Sequence, residues 1–579
     1  MRSLTAGFDV AQPACVQSRV MASLLLGPLL RYVGRSEATV WVEADRRCTV
    51  AVLGRTAETF EAFGHHFALV VLTGLEEGAV TEYGVELDGE PVWPLPGSGH
   101  PPSAIHTREG ERQARLVFGS CRVGAPEREP YTLSPTEHEQ GFGVDALWAY
   151  AKRLSAGSEP WPDGLLLIGD QVYADEVSPA TVEFIRSRRD VSQPPGEEVA
   201  DFEEYAHLYR EAWSDPDIRW LLSTVPSAMI FDDHDVIDDW NISWDWVADA
   251  RSQTWWNDRI TGAFMSYWIY QHLGNLAPPE LAEEPLYRLA SAGGEIGEPL
   301  QQFAEHADRE SAASRWAYFR DFGRSRVLVV DSRAARVLAD GQRDMVDDEE
   351  WEWIIEHSRG AFDHLVIVSS MPVFLSPGVH YLEAWSEAVC AGAWGGPAAR
   401  LGEKLRRALD LEHWPAFQRS FERMMQLLRD AADGTDGHDP PASITVVGGD
   451  VHNAYVAEVS LGRFEGRRSR VHQVVCSPFR NPLGPAERRV VAVTKTRAAA
   501  VVVGGLARLA GVGRPSARWR YRAGPTFDNS IGVIELERRW AGVTIFRAEP
   551  DGRLQPLHTR VLADDPRATA HERAEPASR

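Results

Sequence analysis

The chain has 579 residues, 44% hydrophobic and 25% charged, with a net charge of -24 at neutral pH. Its length exceeds what one hydrophobic core usually covers, so two domains are expected, and its acidity, with no offsetting Lys/Arg-rich block, argues against nucleic acid as a partner. No apolar run reaches the roughly 18 residues that span a bilayer, and the cysteines Cys15, Cys48, Cys121, Cys390 and Cys476 are too scattered for a disulfide framework; these readings predict a cytoplasmic protein with no membrane partner.

Residues 1–20 show no periodicity and read as a disordered extension. From Leu24 to Pro94, short alternating stretches such as ATVWVEA, TVAVLG and HFALVVLTGL are separated by turn residues, which predicts an N-terminal β-sandwich over 21–107. The text VLTGLEEGAVTEYGVEL resembles the fibronectin type III signature, with Leu75 before the turn and Tyr83 as a tyrosine corner or, alternatively, a surface residue of a hairpin. Gly97–Arg112, rich in Gly, Pro and polar residues, reads as a linker.

Strand-like and helical runs then alternate over 112–560, the α/β pattern. Strands are predicted at 116–118, 165–168, 228–231, 326–330, 365–368, 443–447 and 471–476, with more β text from Ile531 to Phe546. Thr254–Leu273 and Pro397–Ala432 read as long inserted helices whose aromatic stripes pack on the core. Residues 561–579 read as a disordered tail.

Four of the apolar runs end in potential metal ligands: LVFGSC at Cys121, LLLIGDQVY with Asp170 and Tyr173, MIFDDHD with Asp232, Asp233 and His234, and ITVVGGDVH with Asp450 and His452. Ligands of α/β sheets collect at the carboxyl ends of strands, and consecutive acids beside an imidazole are costly to bury unless paired or metal-bound. One polynuclear metal site is therefore expected.

In their order, GSC, GDQVYAD, FDDHD and GGDVH resemble the PhoD-like alkaline phosphatases of the calcineurin-like metallophosphoesterase superfamily. The resemblance implies a layered β-sandwich flanked by helices, an Fe(III) held by Cys121, Asp170, Tyr173 and His452, and a second ion shared through Asp170 and held by Asp233, Asp450 and optionally Asp232. Related purple acid phosphatases have a further histidine that would fall near Ser369 and Ser370. Oxygen-only ligands favour Ca²⁺ foremost, or Mg²⁺ or Mn²⁺, as the second ion. The thiolate, phenolate and three carboxylates bring about five negative charges, which one trivalent and one divalent cation neutralise.

The implied activity is hydrolysis of a small phosphomonoester or phosphodiester by a metal-activated water. His234 is expected to protonate the leaving alkoxide. Arg122 is expected to fork onto a phosphate oxygen or, alternatively, to form a salt bridge. Asp175 and Asn241 are candidates for outer contacts. Two other readings compete: a noncatalytic ligand-binding protein with a structural metal, and a serine hydrolase using Ser120, for which no G-x-S-x-G elbow is present.

Overall fold

The computed structural model describes residues 21–564 except 111–112, 340, 435–436 and 463–468, so the terminal segments 1–20 and 565–579 lie outside it. Strands between Leu24 and Trp93 form two four-stranded antiparallel sheets. They close over a core that includes Leu30, Val40, Val50, Leu72 and Val85, as alternating apolar positions require.

This β unit is welded to the rest of the chain rather than strung from it. Within the stretch read as a linker, Ala104–His106 pairs antiparallel with Val80–Glu82. Tyr83 is no tyrosine corner: its buried hydroxyl donates to the Ser223 carbonyl of the second unit. Arg31, fully buried, donates to the carbonyls of Ser227, Tyr270 and Gln271 at 3.2, 2.6 and 2.7 Å. The Trp41 and Phe67 rings pack against that of Tyr270, tilted and edge-on, at 5.3 and 5.6 Å, so one hydrophobic core crosses the boundary.

The second unit is a pair of mixed sheets flanked by helices. One has the order Ser227–Ile230, Gly164–Ile168, Ala114–Gly119, Ser530–Glu537, Trp540–Ala548 and Leu554–Ala563. Its first three strands are parallel and buried at every position, the pattern of strands covered on both faces. The other has seven strands, of which Ser325–Val330, His364–Ser369, Ser443–Gly448 and Arg470–Val475 run parallel side by side. The last strand of the first sheet continues to Ala563, past the expected boundary at 560.

The helical expectations need correction at three places. The first insert is helical from Trp256 to Ser266 but passes into a π-turn at Tyr267–Gln271. The second breaks into Gly396–Ala408 and Gln418–Asp433, and the break carries Glu412 and His413 inward. Two helices that the apolar periodicity did not single out, Pro485–Thr494 and Arg497–Leu509, pack outside the second sheet's helical layer.

Replacing Arg31 with Met strands three buried carbonyls, so unfolding stability is expected to fall by about 3 kcal/mol or more. Because the core is shared, urea denaturation of this variant should remain a single transition in which both units lose structure together; separate transitions would contradict the weld.

Candidate metal centre

The carboxyl ends of the parallel strands of both sheets converge. Cys121 follows Ala114–Gly119, Asp170 follows Gly164–Ile168, Asp232 and Asp233 follow Ser227–Ile230, and Asp450 follows Ser443–Gly448. The approach is close: a Cβ at Gly449 would lie 2.4 Å from Ser120 Oγ, so only glycine fits there. Backbone bonds lock the turns together, from Cys121 N to the Gly169 carbonyl, Arg122 N to the Asp170 carbonyl and Gly449 N to the Ser370 carbonyl, at 3.2, 3.2 and 2.7 Å.

Cys121 Sγ, an Asp170 oxygen and a His452 nitrogen lie within 4.8 Å of one another, and the Asp170, Asp232 and Asp233 oxygens form a second such group. Asp170 is common to both, the place a bridging carboxylate takes. Its two oxygens are buried and have no hydrogen-bond partner among the described residues. A bare buried carboxylate costs several kcal/mol, so this donor set fits a cation. Cys121 Sγ also has the Ser120 and Ser477 hydroxyls at 3.1 Å, and Tyr173 Oη accepts from Asn481 Nδ2 at 3.1 Å.

Cys121, Asp170, Asp450 and His452 have φ of +56°, +47°, +64° and +46°. Non-glycine residues in the left-handed region cost of order 1 kcal/mol or more each, a strain concentrated where these donors are aimed inward. Burial, then the neighbouring anions, pushes the Cys121 thiol well up, and burial likewise raises the Asp170 carboxyl and the Tyr173 phenol. A metal cation reverses that preference and holds them as anions.

Asp232 and Asp233 already have a counter-charge. The fully buried Arg333 guanidinium pairs with Asp232 through Nε, lies 3.0 Å from Asp233 Oδ1, and reaches Glu412 Oε2 at 2.5 Å. Asp232 Oδ2 has no hydrogen-bond partner among the described residues. Asp450 turns its carboxylate to His413, whose Nε2 is 3.0 Å from Oδ2 and whose Nδ1 is 2.8 Å from Glu383 Oε1. Against burial, which lowers it, Glu383 and Asp450 hold the His413 imidazole well above its ordinary pKa. Ser369 and Ser370, where a relative's histidine was expected, are fully buried and bond to Ser332 and Trp414.

His234 stands at the rim, its side chain 18% exposed, with Nδ1 held 3.0 Å from both oxygens of Asp175. Nε2 faces outward, 3.8 Å from Asp238 Oδ1, and the ring lies 4.7 Å from that of Tyr173. Against burial, which lowers it, the Asp175 carboxylate raises the His234 pKa well above its ordinary value. Asp235 does not face the cluster: its carboxylate accepts from the amides of Gln171, Val172 and Asp232 and braces the turn.

The forked contact expected of Arg122 gives way to the salt bridge. Its guanidinium is buried, donating to Asp145 Oδ2 at 2.7 Å and to the Ala212 carbonyl at 2.6 Å, so it cannot swing to a phosphate without leaving Asp145 uncompensated. Asn241 donates to the Arg333 carbonyl at 3.2 Å and is a support of that arginine. Ser120 is buried against Cys121 and accepts from Asp450 N at 3.1 Å, a poor position for a nucleophile.

Residues 140–298 match the family model for PhoD-like phosphatases, and residues 21–105 match that of a domain of unknown function. A solved structure of PhoD superposes with a TM-score of 0.56 at 11% identity, covering 92% of each chain; the fold is shared. A purple acid phosphatase from yellow lupin seeds matches with a TM-score of 0.46 at 12% identity, covering 93% of this chain and 74% of that one. No curated protein sequence matched the chain.

Arg333→Met should lower stability by about 3–5 kcal/mol, because it leaves Asp232 and Asp233 buried without their cation and Glu412 with Arg336 alone. Adding Glu412→Gln to that variant should recover part of the loss in chemical denaturation; strict additivity of the two changes would show that the pair does not interact.

Proposed function

We propose that this protein hydrolyses small phosphoesters, monoesters or diesters, at a metal centre built on Cys121, Asp170, Tyr173 and His452, with Asp233, Asp232 and Asp450 toward a second ion. The observation that carries the reading is Asp170: buried, unpartnered through both oxygens, and common to two donor groups. The thiolate, phenolate and imidazole suit Fe(III), and the carboxylates suit a hard divalent ion, Ca²⁺ foremost. Such ions, when bound, supply positive charge to the phosphoryl oxygens and lower the pKa of a water for in-line attack.

The chain's own contribution is orientation and proton transfer. Asp175 accepts a hydrogen bond from His234 Nδ1–H and favours the imidazolium, which also carries a proton on Nε2. Nε2 is the atom proposed to protonate the departing alkoxide, so the alcohol leaves neutral. Asn481 and the His234 ring hold the Tyr173 phenol in place. His413, itself held by Glu383, keeps the Asp450 carboxylate at the opposite rim.

A noncatalytic protein with a structural metal is less well supported, because a structural centre needs neither a partly exposed imidazole nor an acid to orient it. His234→Ala should reduce turnover of an aryl phosphodiester about a hundredfold or more while elemental analysis finds unchanged metal content. Near-normal turnover would remove His234 from the mechanism. Chelation should abolish activity, and Tyr173→Phe should bleach any iron–phenolate absorption band; a colourless, iron-free and fully active enzyme would refute the iron assignment.

A further inference from the structure

The helices Pro485–Thr494 and Arg497–Leu509 meet at 79° and carry large apolar side chains on their outer faces. Val490 and Val493 are 61% and 62% exposed, and Val501, Val502 and Leu509 are 72%, 71% and 78% exposed. Such a contiguous exposed apolar face marks an interaction surface. Its charge sets it apart from the rest of the molecule. Between Pro485 and Arg514 the chain has six cations against the single acid Glu487, in a protein of net charge -24. Arg489, Lys495, Arg497, Arg508 and Arg514 make no ion pair among the described residues.

We propose that this bent pair is a docking face for an anionic lipid bilayer, lying in the headgroup plane with its valines inserted and its basic side chains on lipid phosphates. Trp394, 41% exposed, extends the face and donates through Nε1 to the Leu509 carbonyl at 3.2 Å; tryptophan suits the membrane interface. No single described helix is long and apolar enough to cross a membrane, and lying on one needs no such helix. This contact is with the bilayer surface and differs from the expectation of no membrane partner.

Charge selects the occupant. In a two-fold dimer through this face the same cations would meet their own copies, whereas an anionic surface attracts them and repels the acidic remainder, fixing the orientation. The face is also one layer from the metal centre. Arg497–Leu509 packs on the helix Pro377–Cys390, with Gly504 against the Tyr381 ring, and the inner face of that helix supplies Glu383 to His413. The chain leaving Asn481, the partner of Tyr173, runs directly into the first helix of the pair.

Flotation of the full chain with vesicles tests the proposal independently of any hydrolytic activity. At low salt, recovery with phosphatidylglycerol vesicles should exceed that with phosphatidylcholine vesicles about tenfold or more, and high salt should abolish it. Val501→Asp with Val502→Asp should lose the binding while keeping the wild-type melting midpoint. If that variant misfolds, Arg497→Glu with Arg508→Glu decides in its place. Absence of binding to phosphatidylglycerol vesicles by the wild-type chain, or undiminished binding by a folded variant, would overturn the proposal. So would a wild-type dimer in sedimentation equilibrium that the aspartates dissociate without any vesicle binding; that result would assign the face to a second copy.

Discussion

Holding Cys121, Asp170, Asp232 and Asp233 together in a buried pocket costs several kcal/mol for each anion left unpaired, and much of the surrounding structure answers that repulsion. Part of the answer is covalent: strand ends deliver each group from a different direction, and the narrow gap at Gly449 lets the two sheets close on one another. Part is electrostatic, since Arg333 reaches Asp232, Asp233 and Glu412 from a single guanidinium. What stays uncompensated is Asp170, and the chemistry is proposed to centre there.

The rim of the pocket repeats one device with different parts. His234 is held by Asp175 on one side, and His413 by Glu383 on the other. In each case an acid grips Nδ1 and leaves Nε2 facing the cluster or its opening, so two imidazoles flank the buried carboxylates. The first pair comes from turns that follow sheet strands. In the second, His413 comes from the break between two helices and Glu383 from the helix Pro377–Cys390, additions to the sandwich and not part of it.

The donors were legible because apolar runs end in them: GDQVYAD, FDDHD and GGDVH each allow a structural reading alone, and their conjunction in one chain is what points to a single site. Arg333, Glu412 and His413 carried no comparable signal. SRAAR and LEHW look like ordinary loop text, and only folding shows that these loops return to the pocket. The split of Pro397–Ala432 was masked by leucines and arginines that preserve helical composition on both sides of the break. The weld between the β unit and the sheets was equally invisible, because an arginine in the strand LLLGPLLRYV reads as solvent-facing until its three carbonyl partners are found. Pro485–Leu509 poses the opposite difficulty: AAAVVVGGL is apolar or small at every position, so composition there does not separate a buried stripe from an exposed one.

Arg31 has a consequence for how the molecule could have been assembled. A guanidinium that fills a hole lined by carbonyls of another unit is a lock cut for one key, so the N-terminal sandwich cannot be exchanged for another of the same topology without re-cutting both sides. An exchanged sandwich therefore has to re-create this fit, a demand that the outer helices and loops do not carry.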